Sequence, residues 1–322
     1  MRALAMRLTG DDKGTREKLL VDDWPDVGEP EGNQVKIRAL FSGITNGTER
    51  NGLLRGNYAP RDEQLPSAYG YQHVGEVVAV GADAVHLEPG DTVFSSSHHT
   101  EYVLVAEDGL LTKLPDEVEP RHAALFGMAG VAMHDVRRAD TELADNVLVV
   151  GAGPIGQFTA QAARAAGAVV TIVDLSSERL LAAEKCAADR TIRIVDDDSW
   201  QTVHDAGPFD IVFEDSGAPV LDRIIGRTWG DPLVKRRGRI VMIAGRDEVT
   251  YAFNPAQGSE ITILHAGHFN RNDLEQVARL TVKGIIRVEP IIQDMIPVAA
   301  AKGIYARLRD DPQSLFGTVF EW

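Results

Sequence analysis

The chain has 322 residues, enough for two domains of ordinary size with cores able to stand alone. Lys and Arg total 33 against 48 Asp and Glu, and the resulting formal charge of −15 repels phosphate backbones and anionic membranes, which counts against nucleic acid as a main partner. Cys186 is the single cysteine, so an internal disulfide and a multi-cysteine zinc site are excluded.

A reducing cytoplasm suits that cysteine usage. The N-terminal MRALAMRLTGDDKG turns polar too early for a secretory apolar region, and no stretch approaches the roughly 18 apolar residues of a membrane span. A cytoplasmic protein with no membrane partner is expected.

Residues 1 to about 120 read as short strands divided by turns. Residues 35–41 (VKIRALF) alternate loosely and end near Gly43 and Gly47; residues 73–80 (HVGEVVAV) are β-branched and end at Gly81. Pro89-Gly90-Asp91 turns the chain into residues 92–94, and residues 102–106 (YVLVA) follow. Many short strands with frequent glycines predict a small barrel or sandwich.

The rhythm changes after Pro120. Residues 122–139 can form a helix, and residues 146–150 (NVLVV) form a buried strand that ends in GAGPIG. An Ala-rich helix over 157–166, a strand over 169–173 and a helix over 177–188 capped by Ser176 or Ser177 come next. Residues 210–213 and 239–244 are later strands. Strand and helix alternating at this spacing predict a parallel doubly wound sheet. The tail from Pro290 carries a helix near 298–309 and a last strand over 317–322, which is expected to return to the first domain.

Gly151, Gly153 and Gly156 follow a strand and open a helix, the context in which GxGxxG binds a dinucleotide. Gly151 permits the tight turn, Gly153 clears the approach of backbone amides to the diphosphate, and Gly156 lets helix and strand pack closely. In the first helical turn, which opens at Pro154, the amides of Ile155 and Gly156 present the positive end of the helix dipole to the phosphates. Asp174 ends the second strand where an acid would accept hydrogen bonds from the adenosine 2′-OH and repel a 2′-phosphate, so the cofactor is expected to be NAD(H). Arg179 could offer charge to a 2′-phosphate and soften that preference, or it stacks on adenine or faces solvent.

With these motifs in order, the chain resembles the medium-chain dehydrogenase/reductase superfamily of zinc alcohol, polyol and threonine dehydrogenases and quinone reductases. Residues 42–49 (SGITNGTE) are similar to the segment around the family's first zinc cysteine, residues 70–75 (GYQHVG) to its Gly-His-Glu motif, and residues 88–94 (EPGDTVF) to its Pro-Gly-Asp-x-Val turn. Residues 101–103 match the Glu-Tyr-Val strand, residues 213–217 (FEDSG) and 238–245 (GRIVMIAG) the last Rossmann strands, and DLEQVARLTVKGII the closing helix. The SGIxxGTE form and the short length are similar to the bacteriochlorophyllide dehydrogenase-like and sugar dehydrogenase-like branches. The resemblance implies an α/β chain: a GroES-like β-barrel catalytic domain at 1–120 plus 290–322, and a Rossmann domain at 121–289. It also places Ser216, Ala244 and Gly245 beside the cofactor.

The zinc ligands do not carry over. Thr45 or Asn46 stands where the cysteine belongs, Tyr71 and Gln72 replace the histidine and glutamate, and the third ligand falls at Gly127 or Met128. The four-cysteine structural lobe is absent. A catalytic zinc needs three ligands from Cys, His or carboxylate, so none is expected to bind. A displaced metal site from His73, His98, His99 and Glu49 is hampered because adjacent histidines in a strand point to opposite faces.

Without zinc another group must stabilise the substrate oxygen. Tyr71 either hydrogen-bonds that oxygen and exchanges its proton, which needs a lowered pKa, or packs into vacated space. Gln72 could orient the substrate or the tyrosine. The resemblance makes Thr48 a hydroxyl relay toward the nicotinamide ribose, and Glu49 either structural or a proton acceptor. His73, His98 and His99 remain alternative proton carriers; Tyr58 and His134 read as packing residues.

Three functions are compatible: a zinc-independent NAD-dependent dehydrogenase of a secondary alcohol on a sugar, cyclitol or complex metabolite; a zinc-free enoyl or quinone reductase acting on C=C, which Asp174 disfavours; and a non-catalytic NAD(H)-binding protein. The family commonly pairs subunits through the strand after GRIVMIAG, which here is residues 260–264 (EITIL), so a homodimer or homotetramer is expected.

Overall fold

The structure is a computed structural model and describes residues 1–9, 15–58, 64–186, 188–228 and 232–322. The chain forms two compact units, one of residues 1–127, 270–282 and 292–322, the other of residues 128–269 and 283–291.

Strand Gln34–Gly43 is the spine of the first unit. Val35, Ile37 and Ala39 turn inward while Lys36 and Arg38 stay toward water, the two-residue period of a half-buried strand. It pairs antiparallel with His73–Val80, Tyr102–Ala106 and Gly317–Glu321. Thr92–Ser95 and Leu111–Lys113 extend the sheet beyond His73–Val80, and Ile292–Pro297 extends it at the other end. Val35, Ile37, Val77, Val93, Val103 and Leu111 fill its core. The last strand, Gly317–Glu321, lies in this unit.

A smaller sheet, Arg16–Val21, Ala3–Leu8 and Ser67–Ala68, was not read from the sequence. Helix Ala301–Asp310 packs with it, and Leu4, Met6, Ile44, Leu53, Tyr305, Leu308 and Phe320 share one core. Each such side chain removed from water contributes roughly 1.5–3 kcal/mol before the entropy of ordering is counted. Helix Asn46–Leu53 was also unread, because Asn46, Gly47, Thr48 and Asn51 are poor helix formers. Burial of Leu53 and Glu49 holds it instead.

The second unit is a six-stranded parallel sheet. Numbered along the chain, Asn146–Val150, Val169–Asp174, Arg190–Arg193, Phe209–Glu214, Val234–Met242 and Thr262–His265 lie in the order 3-2-1-4-5-6, the Rossmann arrangement. Residues Val147 to Val150 are buried, as a strand covered on both faces requires. Strand Arg190–Arg193 escaped sequence reading because Ile192 is its one buried side chain. Ser176 is the cap of the helix Ser177–Lys185, its Oγ accepting from the Arg179 amide at 3.3 Å.

Residues 121–127 and 270–282, expected in the Rossmann domain, group with the first unit. Helix Arg271–Val282 packs on Leu111–Lys113, and Arg271 donates to the Glu107 carbonyl at 3.2 Å. No helix among the described residues is long and apolar enough to cross a membrane.

Candidate active site

In the second unit the glycine turn closes as the motif requires. Gly151 has φ +105, and its amide donates to the Val173 carbonyl at 2.8 Å. A Cβ on residue 156 would stand 1.8 Å from the Gly151 carbonyl oxygen, so no side chain is tolerated there. A Cβ on Gly153 would meet nothing within 4 Å, which leaves the approach to the helix Pro154–Ala165 open. No side chain caps that helix, so its first-turn amides keep their capacity for a phosphate.

Asp174, half-buried, accepts from the Ala152 amide at 2.7 Å and the Ser176 amide at 2.8 Å, one on each carboxylate oxygen. Each oxygen retains a second lone-pair direction for a ribose hydroxyl. Arg179 sits half-buried on the first turn of the next helix, with Gln157 donating to its carbonyl at 2.8 Å. Ser216 follows the fourth strand and lines Gly151. Ala244 and Gly245 follow the fifth, and the Ala244 carbonyl accepts from Arg246. Glu214, fully buried, is held by Arg246 and by the Ser216 hydroxyl. Together these residues meet at the carboxyl ends of strands 1, 2, 4 and 5, where an open parallel sheet binds ligands. The residues present fit a dinucleotide.

In the first unit, the positions where zinc ligands would be expected come together. Gln72, wholly buried, donates from Nε2 to the Gly43 carbonyl at 3.2 Å and to Thr45 Oγ1 at 3.3 Å. A Cβ on residue 127 would lie 2.9 Å from Gln72 Cγ and 3.1 Å from Tyr71 Cε2. Thr45, Gln72, Tyr71 and Gly127 are thus neighbours, with the Gln72 amide and the Tyr71 ring filling the space between them. Threonine, amide, phenol and a bare glycine are not a zinc donor set, and the residues present do not fit that metal.

The Tyr71 hydroxyl interacts with the Thr45 and Thr48 side chains, but burial outweighs them and pushes the phenol up to about 12. The lowered pKa asked of it in proton exchange is therefore absent, and it stands as a neutral donor. Thr48 lies beside Tyr71, in the first turn of helix Asn46–Leu53.

Glu49 differs from its expected role as a proton acceptor. Its Oε1 takes the Thr45 amide at 2.8 Å and His99 Nε2 at 3.1 Å; its Oε2 takes Lys18 Nζ at 2.6 Å and the Tyr305 hydroxyl at 2.7 Å. Every lone-pair direction is used. Burial alone would raise this carboxyl, yet Lys18 and His99 outweigh it and hold Glu49 below the usual carboxylate range. Glu49 is a buried anchor. Lys18 and Tyr305 were missed in the sequence, since a lysine in REKLLV reads as a solvated strand position.

The histidines separate. His98 is exposed, its Nδ1 3.1 Å from the Gly70 carbonyl. His99 and His73 are both fully buried, burial lowering the pKa of each and that of His73 to about 4. His73 Nε2 meets the Thr100 carbonyl at 3.1 Å. These two stay neutral at pH 7 and face protein rather than substrate. Tyr58, 45% exposed, donates its amide to Asn51 at 2.8 Å, away from this network. His134 lies half-buried in helix Phe126–Arg138.

A family model described as zinc-binding dehydrogenase matches residues 154–283. The chain is 32% identical over 240 residues to (R,R)-butanediol dehydrogenase of Bacillus subtilis, covering 61% of this chain and 68% of that enzyme. It is 30% identical over 219 residues to 2-dehydro-3-deoxy-L-galactonate 5-dehydrogenase of Pseudoalteromonas atlantica, a match over 65% of this chain and 61% of the relative. A crystal structure of 2R,3R-butanediol dehydrogenase from Bacillus subtilis superposes with a TM-score of 0.82 over 100% of both chains at 24% identity, a likeness of fold. The chain belongs to the zinc-binding dehydrogenase family, within the medium-chain dehydrogenase/reductase superfamily.

Proposed function

We propose that this protein is a zinc-independent, NAD(H)-dependent oxidoreductase that interconverts a secondary alcohol and its ketone on a sugar, cyclitol or complex small metabolite. Family membership makes it an oxidoreductase with a nicotinamide cofactor. The observation that carries zinc independence is the meeting of Thr45, Tyr71, Gln72 and Gly127 at the expected ligand positions, with Gln72 Cγ 2.9 Å from a Cβ built on residue 127. Asp174 at the end of the second strand supports NAD(H) over NADP(H), because its charge would meet a 2′-phosphate.

Bound NAD(H) supplies the hydride acceptor or donor. Tyr71 hydrogen-bonds the substrate oxygen. In ketone reduction that oxygen gains negative charge, and a phenol at about 12 is still a far stronger acid than an alcohol, so Tyr71 gives up its proton. Thr48 and Thr45 relay a proton from water back to the phenolate, each hydroxyl taking one proton as it passes one on, and Gln72 fixes Thr45. In oxidation the same atoms run in reverse. Ser216, Ala244, Gly245, Arg179 and the Gly151–Gly156 turn hold the dinucleotide.

Among the described residues, strand Thr262–His265 pairs with Val234–Met242 alone and ends the sheet, which supports assembly as a homodimer or homotetramer through this edge. Light scattering at micromolar concentration that returned a monomer would remove this part.

A panel of secondary alcohols and ketones assayed with NAD+ and NADH, with metal analysis of the same sample, tests the reading. Turnover without stoichiometric zinc, lost by about a hundredfold or more in Tyr71→Phe, is expected. Stoichiometric zinc that chelation removes together with activity would overturn it.

A further inference from the structure

Lys18 is buried in strand Arg16–Val21 with no side-chain exposure, an uncommon place for an ammonium. It makes two contacts in different directions. One is Glu49 Oε2 at 2.6 Å, on helix Asn46–Leu53; the other is the Tyr69 carbonyl at 2.8 Å, two residues before Tyr71. Its charge also lies 4.5 Å from the Tyr305 ring centre and 5.7 Å from that of Tyr69.

These contacts join the two segments that supply the hydroxyls of the proposed site. Glu49, held by Lys18, accepts the Thr45 amide at the start of the helix, and so fixes Thr45 and Thr48. The Tyr69 carbonyl, held by the same ammonium, fixes the approach to Tyr71. His99 reinforces the link: it bonds Glu49, and its ring occupies the space beside Gly70. A hydroxyl pair drawn from separate elements keeps its geometry only if something ties those elements together. In the first unit Lys18 is one such tie, beside the direct hydrogen bond from Gln72 to Thr45.

The geometry points to Lys18 as a positioning residue, which sets Tyr71 against Thr48 by clamping Glu49 and the Tyr69 carbonyl. The role in turnover rests on the zinc-independent reading above; the clamp itself is testable without any substrate. Lys18 touches no reacting atom. It acts through the two segments it joins.

The test is 19F NMR of the full-length protein labelled with 3-fluorotyrosine. Six tyrosines give six signals, and Tyr71→Phe assigns one of them. Lys18→Met should shift or broaden the Tyr71 signal, whereas Leu308→Ala, a core truncation in the same unit, should lower the melting temperature and leave that signal in place. If Lys18→Met does not fold, Lys18→Met combined with Glu49→Gln leaves no unpaired buried charge and carries the same expectation. A Tyr71 signal unmoved in the folded variant overturns the proposal, whatever the activity. Where the wild type turns over, kcat should fall about a hundredfold with NADH affinity by calorimetry unchanged. Loss of kcat only in proportion to the loss of stability seen in Leu308→Ala would also overturn it. A wild type that binds NADH but turns over no alcohol or ketone defeats the proposed reaction, and the Tyr71 signal still decides the clamp.

Discussion

His99 Nε2 stands 2.1 Å from the point where a Cβ on residue 70 would be, so the imidazole packs directly on a backbone with no side chain. Gly70 also has φ +121, a conformation that L side chains rarely adopt. Both requirements fall on the residue next to Tyr71, and His99 cannot retreat without releasing Glu49.

Gly70→Ala should therefore be severely destabilising, by about 3 kcal/mol or more, through strain and a displaced buried histidine together. Thermal melting measures it. A variant that melts within a few degrees of wild type would show that the His99 ring is not fixed where the structure has it. Gly153→Ala, at a glycine with open space around it and an ordinary φ, is the contrast and should cost far less stability.

The Rossmann unit was legible because its signals are local. NVLVV is a buried run, GAGPIG follows at once, and Asp174 closes the next strand, so periodicity and turn chemistry agree within about thirty residues. The first unit was legible as a barrel of short strands but not in its polar interior. Lys18, Glu49, His99 and Tyr305 are far apart in sequence, and a lysine or glutamate read one at a time belongs on a surface. Only the fold shows that Glu49 gathers the other three around its carboxylate. The glycine at 127 was read as a missing ligand; its meaning as room for Gln72 and Tyr71 needed coordinates.

Acid should weaken the first unit through His73. Burial lowers its pKa from 6.5 to about 4, so between these values the unfolded chain binds a proton that the folded one refuses. Stability then rises with pH across that window, is fully present above pH 6.5, and declines as pH falls toward 4. The shift corresponds to about 3 kcal/mol at most for this one group. His99, also lowered by burial, adds in the same direction. His73→Gln should flatten the fall in melting temperature between pH 6.5 and 4; an unchanged slope would assign the acid sensitivity elsewhere.

Cofactor choice should follow Asp174. Each oxygen of its carboxylate accepts one backbone amide and keeps a lone-pair direction for a ribose hydroxyl. Asp174→Ala should weaken NADH binding by about tenfold or more and narrow its advantage over NADPH, since a charge-assisted hydrogen bond is worth roughly 1.5–3 kcal/mol. Loss of those two amide contacts will lower stability as well, so isothermal calorimetry is run well below the melting point. Equal affinity of the wild type for NADH and NADPH would remove Asp174 as the discriminator.

The two directions of the proposed reaction should respond differently to pH. With its phenol pushed up to about 12, Tyr71 is protonated throughout the neutral range, which is the form that donates to a ketone. Reduction by NADH should then be nearly flat between pH 6.5 and 9.5. Oxidation needs the proton-accepting form, whose fraction grows about tenfold with each unit of pH below the pKa, so alcohol oxidation should climb steadily over the same interval. In Tyr71→Phe both rates should drop and the slope of oxidation should vanish. An oxidation profile that levels off near neutrality in the wild type would remove Tyr71 as the group that accepts the proton.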